Sequence, residues 1–129
     1  MVEPSERIDG LARAVIGAAI EVHRELGPGF LEGVYEEALA VELALRGIAC
    51  VRQQAVEVWY KGHLVGEGRI DLLVDDGLVV EVKAVETLLP VHRAQVVSYL
   101  RATGRPLGLL LNFRAAQMRD GIERVIWTR

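Results

Sequence analysis

"GEGRIDLLVDDGLVVEVKAVE", residues 66–86, decides how this chain folds. Two apolar runs flank Asp-Asp-Gly, the pattern of a β-hairpin. The length of the turn fixes which side chains share a face, because a one-residue slip exchanges the two faces. A two-residue Asp76-Gly77 loop would pair Asp75 with Leu78, set Leu72 across from Glu81 and Ile70 across from Lys83, and mix charge into both faces. A three-residue loop, Asp75-Asp76-Gly77 with Gly77 left-handed, pairs Val74 with Leu78, Leu72 with Val80 and Ile70 with Val82. That face is wholly apolar and can pack on helices, so burial selects the three-residue loop.

The same register brings Asp71 directly across from Glu81, with Lys83 two residues further along. Facing carboxylates repel, and each raises the pKa of the other unless a cation sits between them. Lys83 supplies part of that charge. A hard divalent cation such as Mg²⁺ supplies it better, being held by one or two carboxylates plus waters. The competing reading is a solvent-exposed hairpin face carrying scattered charges, which is ordinary for a half-buried sheet.

Working outward, Ile8, Leu11, Val15, Ala19, Val22 and Leu26 recur at spacings of three and four, predicting an amphipathic helix over residues 5–26 that stops at "GPG", residues 27–29. Phe30, Val34, Ala38, Val41 and Leu45 mark a second helix ending at Gly47. "CVRQQAVEVWY", residues 50–60, reads as a strand. Residues 64–74 and 78–84 are the hairpin strands. Pro90 opens a helix that runs to about Ala102 and closes at Gly104. "PLGLLLNF" is a buried strand and "GIERVIW" an edge strand. The order α-α-β-β-β-α-β-β gives an α/β (α+β) domain, a small mixed sheet flanked by helices, expected to be a single domain over residues 1–129.

With 51% hydrophobic and 26% charged residues the chain is globular rather than disordered. The N-terminus lacks the apolar stretch of a signal peptide, and runs such as "AVIGAAI" are too short to span a bilayer, so a cytoplasmic protein with no membrane partner is expected. Cys50 is the only cysteine, which excludes an internal disulfide and a Cys-rich zinc site; it reads as a small core residue. The net charge of −3 argues against a general polyanion binder. Residues 101–129 nevertheless hold six arginines (Arg101, Arg105, Arg114, Arg119, Arg124 and Arg129) against Asp120 and Glu123. That segment either tracks phosphates or is a solvated arginine-rich surface.

Asp71 followed by "EVK" at 81–83 resembles the metal and lysine motif of the PD-(D/E)XK nuclease superfamily. "QVVSY", Gln95 to Tyr99, is similar to the Gln-x-x-x-Tyr motif that follows the Glu-x-Lys strand in one subgroup. "GFLEGVY", residues 29–35, resembles the Gly-x-x-Glu-x-x-Tyr (GxxExxY) motif of a family of small stand-alone proteins in that superfamily. The resemblance runs from about Ala18 to Ile126, and the chain departs from the motif in having Ile70-Asp71 where Pro-Asp is common.

The resemblance implies a restriction-endonuclease-like core and a nuclease dependent on Mg²⁺ or Mn²⁺, acting on nucleic acid, DNA rather than RNA. It implies Asp71, Glu81, the Val82 carbonyl and Glu32 as metal ligands, Lys83 as the catalytic lysine, and Gln95 and Tyr99 in support. Spacing agrees for two pairs: Gln95 and Tyr99 are four apart on a helix, and Glu32 and Tyr35 three apart. Tyr35 also reads as a core residue with a satisfied hydroxyl, Glu36 and Glu37 as solvated, and His92 as a polar helix flank. His23 and His63 lack metal spacing, and Trp59 and Trp127 read as core or edge packing. A two-fold homodimer is compatible with a small single-site nuclease. The alternative function is a catalytically inactive module of the same fold that binds nucleic acid or a protein partner.

Overall fold

The computed structural model describes residues 4–128. Two helices come first, α1 (Glu6–Leu26) and α2 (Glu32–Leu45), followed by β1 (Cys50–Tyr60), β2 (His63–Val74) and β3 (Leu78–Lys83). Helix α3 (Pro90–Thr103) then crosses to β4 (Leu107–Asn112), and a 3₁₀ turn, Met118–Gly121, leads into β5 (Ile122–Ile126). The five strands form one sheet in the order β1-β2-β3-β4-β5. Only β3 and β4 are parallel; the other neighbours are antiparallel. A parallel pair needs a crossover connection, and α3 provides it.

The β2–β3 turn takes the three-residue form: Val74 pairs with Leu78, Leu73 with Val79 and Leu72 with Val80. The expected role of Gly77 is corrected. Asp75 and Asp76 are the left-handed residues, with φ of 46° and 55°. Aspartate tolerates that region, and each is held by an arginine: Arg7 donates to the Asp75 carbonyl and carboxylate, Arg105 to the Asp76 carboxylate. A Cβ at Gly77 would lie 2.6 Å from the Ile8 Cδ1 and 2.8 Å from the Arg7 guanidinium of α1, so those side-chain ends would have to shift.

The pairing of Ile70 with Val82 does not form. Regular pairing stops at Leu72–Val80, and Ile70 packs with Leu73 and Val79 on the α3 side of the sheet, whereas Val80 and Val82 face α1 and α2. The second hairpin face is not open to solvent either. Val96 and Leu100 of α3 cover it, giving the sheet a core layer on each side. β4 is accordingly buried throughout, as a strand covered on both faces must be.

Helix α2 is rotated from its expected orientation. Val41 and Leu45 of the predicted stripe are exposed, Leu45 at 78%, and the buried face is Tyr35, Glu36, Leu39 and Leu43. The helix is apolar on both faces, and the larger ring wins the core: Tyr35 stacks on Phe113 at 4.7 Å. Its hydroxyl accepts from the Phe30 N–H at 2.9 Å and donates to the Gly27 carbonyl, pinning the "GPGF" loop. Tyr35→Phe leaves the Phe30 N–H without its acceptor and should cost about 1–3 kcal/mol, read from the urea midpoint.

β1 and β2 outrun β3, so their far halves form a two-stranded ribbon beyond the sheet. Trp59, expected in packing, is 58% exposed there with Tyr60, Leu64 and Val65. Trp127 packs against the α3-side core. Cys50 is half-buried against the α1 and α2 core, and burial pushes its thiol pKa up.

Candidate active site

The centre of the site is the point where β2 and β3 stop pairing. Instead of a ladder, two carboxylates bond across the gap: the Asp71 N–H donates to Glu81 Oε2 at 2.8 Å, and the Val82 N–H donates to Asp71 Oδ2 at 2.9 Å. Each carboxylate takes the place of a backbone acceptor in the other strand. This exchange explains why Ile70 and Val82 do not pair, and it brings the two carboxyls together. Glu81 is only 2% exposed. Burial, the neighbouring Asp71 charge and side-chain hydrogen bonding with Asp71 push its pKa up to about 8, against the opposing pull of the Asp71 N–H and Lys83.

The sign of the pH dependence follows. Between about 4.5 and 8 Glu81 is protonated in the native state and ionised in the unfolded chain, so unfolding releases a proton. Metal-free stability should therefore fall as pH rises through that window, by a melting shift of order 10 °C. Mn²⁺ at pH 8 should reverse the loss, because it binds the ionised form. Thermal melts from pH 5 to 8 with and without Mn²⁺ check this; a metal-free melting temperature that rises across the window would contradict the reading of Glu81 as a buried, protonated carboxyl.

Lys83 follows on the same strand. Its Nζ donates to Gln95 Oε1 at 3.4 Å, Gln95 Nε2 donates to the Tyr99 hydroxyl at 3.3 Å, and that hydroxyl also accepts from the Arg69 N–H at 3.4 Å. The four-residue spacing on α3 aligns Gln95 with Tyr99. Gly68 makes room for the ring, since a Cβ there would lie 2.6 Å from Tyr99. Asn112, paired in register with Lys83, holds the chain beyond it by accepting from the Val85 N–H and donating to the Val85 carbonyl. The Lys83 carbonyl accepts from the Phe113 N–H on the β4 side, so strand alternation turns the Val82 carbonyl toward β2.

Glu32 opens α2 and is half-buried. Burial pushes its pKa up, Lys83 pulls it down, and Asp71 and Glu36 push it up, which places it within the field of the centre. Glu36 corrects the expectation of a solvated side chain: it is buried and accepts from Arg52 and Gln53, while Glu37 pairs with Arg52. His92 Nδ1 accepts from the Leu89 N–H and so helps start α3. His23 Nε2 lies 2.8 Å from the Ala115 carbonyl, and His63 is exposed. The arginine-rich segment is partly neutralised: Arg105 pairs with Asp76 and Arg124 with Asp9, and Arg129 lies outside the described residues. Arg101, Arg114 and Arg119 are exposed.

Gln53 escaped the sequence reading. Its amide donates to Glu36 Oε1 at 2.9 Å and to Asp71 Oδ1 at 3.3 Å. The available signal was "RQQ", three polar residues interrupting an apolar strand.

The donor set suits a hard cation: carboxylate oxygens and a backbone carbonyl, with no thiolate. Among the described residues, no three His, Cys, Asp or Glu side chains form a metal-holding group. Mg²⁺ does not require three, since it keeps several waters and takes one or two carboxylates.

A carboxylate pair at a strand junction, one member buried and the other half-buried, followed by a lysine and a helix-borne glutamine, is the arrangement the sequence motif implied. The model of the PD-(D/E)XK nuclease superfamily matches residues 9–125, and the chain belongs to that superfamily. Its α+β fold, with three helices and a five-stranded mixed sheet, is consistent with the restriction-endonuclease-like core. No curated protein and no solved structure matches the chain. No helix among the described residues is long and apolar enough to cross a membrane.

Proposed function

We propose that residues 1–129 act as one metal-dependent nuclease domain of the GxxExxY kind, hydrolysing phosphodiester bonds in nucleic acid, DNA in preference to RNA. The observation that carries the reading is the carboxyl pair, Asp71 and Glu81, bonded across the β2–β3 gap two residues from Lys83. Membership of a nuclease superfamily supplies the reaction class.

In this reading Asp71, Glu81 and the Val82 carbonyl hold Mg²⁺ or Mn²⁺, with Glu32 reaching it directly or through water. A divalent ion there supplies Lewis-acid chemistry, lowering the pKa of water and drawing charge from the phosphate. Lys83 orients the attacking water, helps take its proton, or stabilises charge on the pentavalent phosphorus. Gln95 fixes the Lys83 ammonium, and Tyr99 fixes Gln95. The resemblance implies products with a 5′-phosphate and a 3′-hydroxyl.

The second reading is a non-catalytic module of the same fold that binds nucleic acid or a protein partner, in which the two carboxylates serve the fold as acceptors of the Asp71 and Val82 N–H groups. Incubating the purified protein with linear, circular, branched and single-stranded DNA, and with RNA, in Mn²⁺ or chelator separates the two. The nuclease reading expects cleavage abolished by chelator, with 5′-phosphate ends. Intact substrates throughout, with metal bound or not, would leave the module.

A further inference from the structure

We propose that Gln53 is a positioning residue that fixes the orientation of the Asp71 carboxylate. Gln53 has a φ of 52°, the left-handed region that a glutamine rarely adopts. Such a conformation costs of order 1–3 kcal/mol and persists only where the surroundings over-determine it. Here the surroundings are the site. β1 turns over at this residue: Cys50 packs on the α1 and α2 side of the sheet, and Val56 on the α3 side. The register, Arg52 to Leu72 and Gln54 to Ile70, sets Gln53 opposite Asp71.

The turned backbone places the Gln53 amide between two carboxylates, where its nitrogen reaches Glu36 Oε1 at 2.9 Å and Asp71 Oδ1 at 3.3 Å. Glu36 is itself anchored, buried and accepting from Arg52 at 2.8 Å and 3.2 Å. Glu37 takes a third bond from the same guanidinium. Asp71 is thereby gripped at both oxygens, Oδ2 by the Val82 N–H and Oδ1 by Gln53. A neutral amide suits the position, because it offers two N–H hydrogens and no charge to compete with a cation. Asp71 matters to this inference as a metal ligand, so its functional consequence rests on the nuclease reading.

The decisive variant is Gln53→Gly. Glycine adopts the left-handed conformation without strain, which offsets the bond that buried Glu36 loses, so the fold keeps its stability while the tether is lost. The Val82 amide should then exchange at least about tenfold faster, because its acceptor is freed, while the Leu110 amide in the β4–β5 pairing is unchanged. Mn²⁺ affinity should weaken by about 10-fold or more, as when a partner of a metal ligand is removed. Gln53→Glu, which sets a third carboxylate against Glu36 and Asp71, should lower the melting temperature instead. A Gln53→Gly protein with unchanged Val82 exchange and unchanged Mn²⁺ affinity would reduce Gln53 to a strand irregularity and overturn the inference. If the wild type takes up no Mn²⁺, the nuclease reading fails, and Val82 exchange alone decides whether Gln53 positions Asp71.

Discussion

Lys83→Ala is expected to lower phosphodiester turnover by about 10²–10⁴-fold, the range for removing a positioned group that handles a proton in the transition state. Mn²⁺ affinity should stay the same or tighten slightly. Lys83 lowers the Glu81 pKa, so it already stabilises the ionised carboxylate, but it also competes for that carboxylate as a positive charge. Loss of the lysine leaves the Gln95–Tyr99 bond in place, so α3 should hold its position. Single-turnover cleavage beside calorimetric titration makes the comparison. A variant that cleaves at the wild-type rate would reduce Lys83 to a surface charge and favour the module reading.

Asp71→Asn should have the opposite profile. The asparagine carbonyl can still accept from the Val82 N–H, so the β2–β3 junction keeps its bond. The charge that raises the Glu81 pKa is gone, and the metal-free protein should be as stable as wild type or more so at pH 8. Metal binding and cleavage should be lost together. Asp71→Ala gains the same relief but leaves a part-buried N–H unpaired, at a cost of about 1–3 kcal/mol. The two variants should thus match in activity and differ in stability, with asparagine the more stable.

The sequence carried the parts of this site that depend on hydrophobic pairing. Apolar residues at 72, 74, 78 and 80 admit only one turn length, and that turn brings Asp71 and Glu81 to the same level. The helix-borne residues were legible for the same reason, since a four-residue spacing aligns Gln95 with Tyr99. What was hidden depends on side chains standing in for backbone. Strand alternation continues the pairing through Ile70 and Val82, and gives no hint that two carboxylates will take the N–H groups there. The reversal of β1 at Gln53 was hidden likewise, because a left-handed glutamine has no local cause in its sequence. Helix α2 was mis-oriented because Val34, Val41 and Leu45 repeat as regularly as Tyr35, Leu39 and Leu43. Only the ring of Phe113, far along the chain, decides between the two faces.

Calorimetric titration of Mn²⁺ into the wild type and Asp71→Asn at pH 8 decides whether the Asp71–Glu81 pair is a metal centre. Binding to the wild type at this centre should be saturable, and weakened beyond about 100-fold in the variant while the fold stays intact by thermal melting. Equal Mn²⁺ affinity in the two proteins, or no binding to the wild type, would contradict a metal centre there.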